Sequence, residues 1–289
     1  MVRGGGLTVA VLFIAAAWSC TGFGTASEPD GGNETGPGTD AAGVSDVGAG
    51  TDEGGADDGA VTDADVIDAR PDAPVCSCPG LVSAYRFAVP NALGLDSVGT
   101  NHMVTVRGAP KQSPITPPGF SGYSLELDGV DDSVCIQSAS AFASSAAHTV
   151  CWWSQPAAPT NSNTNQFSQR CSYDTWREPS GSHHDWRINN CSAGEPESLR
   201  VENIYAVGTW VQICQTYSPL SNTRAVFVNG SRRAVSSNSP KIEPTDEPWC
   251  IGSSNVDGWW SGRIYLPMWF DRVLSDLEIQ QVHAIGCCQ

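Results

Sequence analysis

Between residues 81 and 270 the apolar side chains come in short runs, and each run is closed by Gly, Asn, Asp or Pro. Where the runs alternate apolar with polar, a period of two puts every second side chain on one face of an extended segment. Leu125 and Leu127 alternate in this way, and so do Val134 and Ile136, around the turn Asp128-Gly129-Val130-Asp131-Asp132. These two runs read as a hairpin with one buried face. Residues 81–87, 148–155, 209–217, 224–228 and 249–252 read as further strands. Asn229-Gly230 is the strongest hairpin signal, because both central turn positions accept positive φ. Residues 96–102 read as a polar loop, and 166–191 as an irregular polar stretch.

The end of the chain changes period. Residues 257–282 run loop, strand, short helix. Ile264, Leu266, Met268 and Phe270 alternate and are expected to share one face. Ser275 and Glu278 make an S-x-x-E capping box, which opens a helix whose Leu277, Val282 and Ile285 are expected to rest on the sheet. Roughly ten strands and one helix predict an all-β sandwich or barrel.

Residues 1–20 have a basic start at Arg3, an apolar run of about a dozen residues, too short to span a bilayer, and Ser19 before Cys20. They read as an export signal. The ending resembles a bacterial lipobox with Cys20 as the lipidated residue, although Ala17 stands where Leu is usual. Residues 21–75 are rich in Gly, Asp, Ala and Thr, with Phe23 as their one aromatic. Such a segment cannot bury enough apolar area to offset its ordering entropy, so a disordered acidic tether is expected. It holds thirteen acidic residues against Arg70, a net of −12. With Arg3 outside it, −5 of the total −16 remains for residues 76–289, which are expected to form one domain. This balance argues against a nucleic-acid partner, which would need a basic patch. Eleven cysteines in 289 residues point to an oxidising compartment. An exported chain is the expectation: an outer-membrane or cell-surface lipoprotein touching the membrane through its lipid only, or a secreted protein.

Several motifs in one order carry a resemblance. They are Leu125-Glu126-Leu127-Asp128-Gly129 with Asp131-Asp132-Ser133-Val134, Thr149-Val150-Cys151-Trp152-Trp153, the strand 210–217, Val226-Phe227-Val228-Asn229-Gly230, and Gly252, Gly258 and Gly262 before Asp271-Arg272-Val273-Leu274-Ser275. In this order they resemble the laminin-G-like, concanavalin A-like lectin/glucanase domain, over about residues 80–285. The resemblance implies a two-sheet antiparallel jelly-roll sandwich with one short C-terminal helix. Pro267 departs from it, since proline cannot donate to a ladder, and a bulge or an edge is expected there. The resemblance also implies that first and last strands pair, which would bring Cys76 and Cys78 to Cys287 and Cys288. Cys171 and Cys191 bracket a stretch that a bridge would staple. Cys151–Cys214 and Cys135–Cys250 are the pairs that remain.

A fold of this kind hosts lectins, adhesion modules, hydrolases and lyases, so function rests on the site. Glycoside hydrolysis needs two carboxyls facing one another, and no strand here carries such a pair. The nearest cluster, residues 243–247, is broken by Pro244. Gln281-Val282-His283 mimics a lyase motif but falls on the helix. His183-His184-Asp185 are adjacent rather than spaced as a zinc chelate. A non-catalytic module is expected. Asp128, Asp131, Asp132 and Asp257 are the candidate calcium ligands, against the reading that they simply form turns. Tyr173, Trp176, Arg177, Trp186, Trp259 and Trp260 are the candidate ligand-binding residues, since loop aromatics stack on sugar faces. Trp153, Trp210 and Trp269 read as core. The expected partner is a glycan or glycoprotein. The alternatives are an adhesion protein using the sandwich for protein contacts, and a glycan-active enzyme.

Overall fold

The computed structural model describes residues 78–136, 138, 142, 144–159, 162–178, 182–189, 191 and 197–286. Among them are sixteen strands and one helix. In chain order the strands are Leu81–Ala84 (β1), Thr105–Arg107 (β2), Lys111–Ser113 (β3), Ser124–Asp128 (β4), Ser133–Ile136 (β5), His148–Pro156 (β6), Thr164–Asn165 (β7) and Phe167–Gln169 (β8). There follow Tyr173–Arg177 (β9), His184–Ile188 (β10), Glu197–Val201 (β11), Val211–Ser218 (β12), Thr223–Val228 (β13), Ser231–Ser236 (β14), Trp249–Ile251 (β15), Ser261–Phe270 (β16) and the helix Asp276–Ile285 (α1).

They build two antiparallel sheets. The first has the order β14-β13-β12-β6-β16-β4-β3, with β1 also on β16. The second has the order β11-β10-β9-β8-β15-β5-β2, with β7 on β9. This is the two-sheet jelly-roll sandwich that the motifs imply. Alternation divides each strand of the first sheet between two apolar clusters. Val150 and Trp152 of β6, with Val211 and Ile213 of β12, enter the cluster between the sheets. Cys151 and Trp153, with Cys214, enter a second cluster with Leu274, Ile279 and Val282 of the C-terminal segment.

Three sequence expectations change here. The runs around residues 128–132 are not a hairpin: β4 pairs with β3 and β16 in the first sheet, while β5 pairs with β15 and β2 in the second. The turn crosses between sheets, and Leu125, Leu127, Val134 and Ile136 all meet in the core from opposite sides. Period-two patterning alone cannot distinguish these cases, because both bury one face. Residues 166–191 are also more regular than expected, since β9 and β10 form a hairpin with Tyr173 opposite Ile188.

The third change is at Pro267. Leu266 has φ +48° and the β16–β6 register shifts between Tyr265 and Met268. The expected bulge is present, and it splits the face that Ile264, Leu266, Met268 and Phe270 were expected to share. Ile264 and Trp269 face the inter-sheet core, while Tyr265, Leu266, Met268 and Phe270 face the helix-side cluster.

The capping box forms as read. Glu278 N–H donates to Ser275 Oγ at 3.3 Å, and Ser275 N–H donates to Glu278 Oε2 at 2.7 Å. Arg272 and the Ser275 backbone hydrogen-bond the Glu278 carboxylate and hold its pKa down at about 2. Ile279 and Val282 are the helix's buried residues. Leu277 and Ile285 are 63% and 61% exposed, so only Val282 of the three expected contacts is made.

Three disulfides join described residues: Cys135–Cys250, Cys151–Cys214 and Cys171–Cys191. These are the pairs expected within that set. Cys135 lies directly opposite Cys250, and Cys151 opposite Cys214, so each links neighbouring strands of one sheet. Cys171–Cys191 closes the open end of the β9–β10 hairpin. Cys78 is also disulfide-bonded, and β1 does pair with the last strand. Cys76, Cys287 and Cys288 lie outside the described residues, as do Cys20, the export signal and the tether.

Candidate functional site

The aromatics expected in a binding loop are mostly in the core. Tyr173, Trp186 and Trp260 are fully buried between the sheets, and Arg177 is buried with its guanidinium 5.8 Å from the Tyr205 ring and 5.7 Å from that of Trp260. They cannot offer a face to a ligand. The cause is the pleat: Tyr173, Arg177, Trp186 and Ile188 occupy the inward positions of the hairpin. Trp176 points to the other face, where the Arg187 guanidinium lies 3.9 Å from its ring centroid. Arg187 in turn binds Asp185 at 3.0 Å and Glu178 at 2.9 Å. Burial raises the Asp185 pKa, but Ser198, Arg187 and Arg200 outweigh it and hold the group below its usual range. Trp176 is thus part of a closed ionic array. Trp259 remains half-buried beside Gly258.

The buried polar groups of the core form a chain. Trp152 Nε1 donates to Gln166 Oε1 at 2.9 Å, and Gln166 Nε2 donates to the Tyr205 hydroxyl at 2.5 Å. Tyr205 meets His184 Nδ1 at 2.9 Å, and His184 Nε2 lies 2.8 Å from Gln215 Nε2. Gln215 Oε1 accepts from Tyr173. Burial pushes the His184 pKa down to about 4, so the ring is neutral at pH 7. His184 and Asp185 fall on opposite faces of β10, which removes their adjacency as a chelate.

A different place has the geometry of a site. A cleft of about 430 Å³ opens over the first sheet, lined by Trp153, Trp210, Thr209, Gly208, Asn229, His283 and Pro118. Three sequence features bring these together. Trp210 immediately precedes β12, so its ring stands at the strand's mouth. Asn229-Gly230 makes the tight β13–β14 turn with φ +49° and +76°. At Gly230 a Cβ would lie 3.2 Å from His283 Cβ, so the missing side chain lets the helix approach the turn. His283 stacks on Trp153 with centroids 5.0 Å apart and planes at 26°. Trp210 meets Tyr265 edge-on at 6.4 Å and has no stacked ring on it among the described residues.

The polar groups of this cleft are neutral. Trp153 Nε1 and His283 Nδ1 have no hydrogen-bond partner among the described residues. Burial lowers the His283 pKa from its ordinary value, which favours the neutral ring. Asn229 Oδ1 accepts from Gln212 N–H at 2.9 Å, which holds the side-chain amide of Asn229 in place at the cleft. Trp153 is buried in the helix-side cluster, as its core expectation has it, whereas Trp210 is only half-buried against that cluster and opens on the cleft; His283, set aside with its helix, lines the cleft as well. For Trp210 the available signal is its position just before a strand rather than inside one.

The acidic turn was assembled only in part. Carboxylate oxygens of Asp128, Asp131 and Asp132 lie within 4.8 Å of one another, and Asp257 is not in the group. Asp132 accepts from Ala109 N–H at 2.6 Å and Asp128 N–H at 3.0 Å. Asp128 accepts from Val130 N–H at 2.8 Å. These oxygens cap backbone donors, and those left over are fewer than the six to eight that calcium takes. The cluster fits a turn better than a resident calcium site.

Known proteins bear on the fold. Domain 4 of AbnA, an extracellular arabinanase from Geobacillus stearothermophilus solved with arabinotriose, is 17% identical, with a TM-score of 0.52 over 70% of this chain and 98% of that one. The binding domain of Paraclostridial Mosquitocidal Protein 1 is 14% identical, with a TM-score of 0.54 over 71% of this chain and 52% of that one. The botulinum neurotoxin serotype D binding domain is 12% identical, with a TM-score of 0.53 over 71% and 51%. The chain thus spans about half of each toxin domain. Comparison with curated protein sequences returns no match. The family model for the concanavalin A-like lectin/glucanases superfamily matches residues 128–280, over half of the sequence. With both sheets and that match in agreement, the chain belongs to the concanavalin A-like lectin/glucanases superfamily.

Proposed function

We propose that this chain is an exported, non-catalytic module that recognises carbohydrate through the cleft beside Trp210. The cleft itself carries the reading. Among the described residues no ring is stacked on the Trp210 indole, the neutral side chains of Thr209 and Asn229 line the same cleft, and no carboxylate is in its lining. Apolar walls with a few convergent polar groups are the usual make-up of a small-molecule site. The arabinanase domain held with arabinotriose, and the toxin binding domains, lend support at the level of fold. The disulfides favour an oxidising compartment.

A lipid on Cys20 would hold the module off a membrane on the acidic tether of residues 21–75. Replacing Cys20 by Ala then moves the protein from the membrane fraction to the medium; retention in the membrane contradicts the anchor.

A glycan array with the full-length chain tests the main reading. Binding that survives EDTA is the expected outcome, since among the described residues no group of metal-ligating side chains lines the cleft. Absence of binding to every glycan contradicts it and favours the adhesion alternative.

A further inference from the structure

We infer that the cleft beside Trp210 selects uncharged sugars and rejects acidic ones such as sialic acids and uronic acids; this rests on the carbohydrate reading above. No Lys or Arg is among the described residues that line the cleft. Among those residues the one acid–base group is His283, and burial favours the neutral form of that ring. A sugar carboxylate seated there would lose water and gain no cation, which costs several-fold to many-fold in affinity. Arg232, on the strand that α1 touches, is spent on Asp276. The field of the folded part adds to this, since residues 76–289 carry a net −5 and repel an anionic glycan.

What the cleft does offer suits hydroxyls and an apolar ring face. The Trp153 indole N–H and His283 Nδ1 have no partner among the described residues, but both atoms are buried away from solvent, so they shape the floor of the cleft and are not offered to a ligand. The side-chain amide of Asn229 and the Thr209 hydroxyl belong to lining residues, and Trp210 supplies the stacking face. The volume lies at the small end of the range for ligand sites, roughly 300–1,000 Å³, and suits a short stretch of glycan rather than a long chain.

The test titrates the full-length chain with lactose and arabinotriose against 3′-sialyllactose and trigalacturonate, with Trp210→Ala, Trp210→Phe and Trp176→Ala variants beside it. A neutral sugar is expected to bind, to weaken about tenfold or more in Trp210→Ala, and to be held nearly as well by Trp210→Phe and Trp176→Ala. Near-ultraviolet circular dichroism shows that each variant keeps its fold. An acidic glycan bound as tightly, and lost with Trp210, overturns the selectivity while leaving the carbohydrate reading intact. Neutral binding indifferent to Trp210 overturns the placement. No binding by any of the four sugars overturns the inference; if the glycan array is also blank, the carbohydrate reading falls with it.

Discussion

Trp186 and Trp260 each bury a whole indole between the sheets. Their place in the core converts a binding expectation into a stability one. Trp186→Ala or Trp260→Ala should cost about 3–5 kcal/mol and leave ligand specificity alone; urea unfolding midpoints measure this, and an unchanged midpoint contradicts it. His148 and His184 set the pH response. Burial brings each down to about 4, whereas an unfolded histidine takes its proton near 6.5. Between those values the unfolded chain binds more protons, so stability is complete above about 6.5 and falls as pH drops towards 4. Each histidine adds a slope of about 1.4 kcal/mol per pH unit. Urea midpoints should be lower at pH 5 than at pH 7, and equal midpoints would show that these rings are not held neutral.

Among the elements, the turn and the helix decide the shape of the cleft. Gly230→Ala puts a side chain at φ +76° and presses on His283, so it should cost on the order of 1–2 kcal/mol and weaken sugar binding together. Ser275→Ala removes the N-cap and should cost about 1 kcal/mol, with Glu278 losing its reciprocal partner; an unchanged thermal midpoint argues that the helix is held by packing alone. Both elements were legible beforehand, because Asn-Gly and S-x-x-E specify backbone geometry within four residues. The β9–β10 hairpin was not. Arg177 and His184 occupy inward positions there, and only the partners Tyr205, Gln215 and Trp260, distant in sequence, make those positions suitable. The cleft was hidden for the same reason. Trp210, Asn229 and His283 are far apart in the chain, and only the meeting of turn, strand mouth and helix joins them. The sheet crossing at residues 128–132 was missed because a crossing and a hairpin bury the same positions.

The described residues form a sandwich, and the three disulfides that join them each lie within one sheet. Cys135–Cys250 and Cys151–Cys214 close sequence separations of 115 and 63 residues. Loops of that length restrict the unfolded chain strongly, so removing Cys151 and Cys214 together should cost on the order of 2–4 kcal/mol. A double Cys→Ala variant with an unchanged melting temperature would contradict that account. The carbohydrate reading depends on where a sugar touches, and the chain carries ten indoles by which to see it. The most direct measurement is therefore the set of indole N–H resonances of the full-length chain, assigned and followed by ¹H–¹⁵N NMR as arabinotriose and then lactose are added. The account predicts that the Trp210 and Trp153 signals move with at least one of these sugars and saturate. Movement confined to Trp176 or Trp259, with Trp210 still, would contradict it.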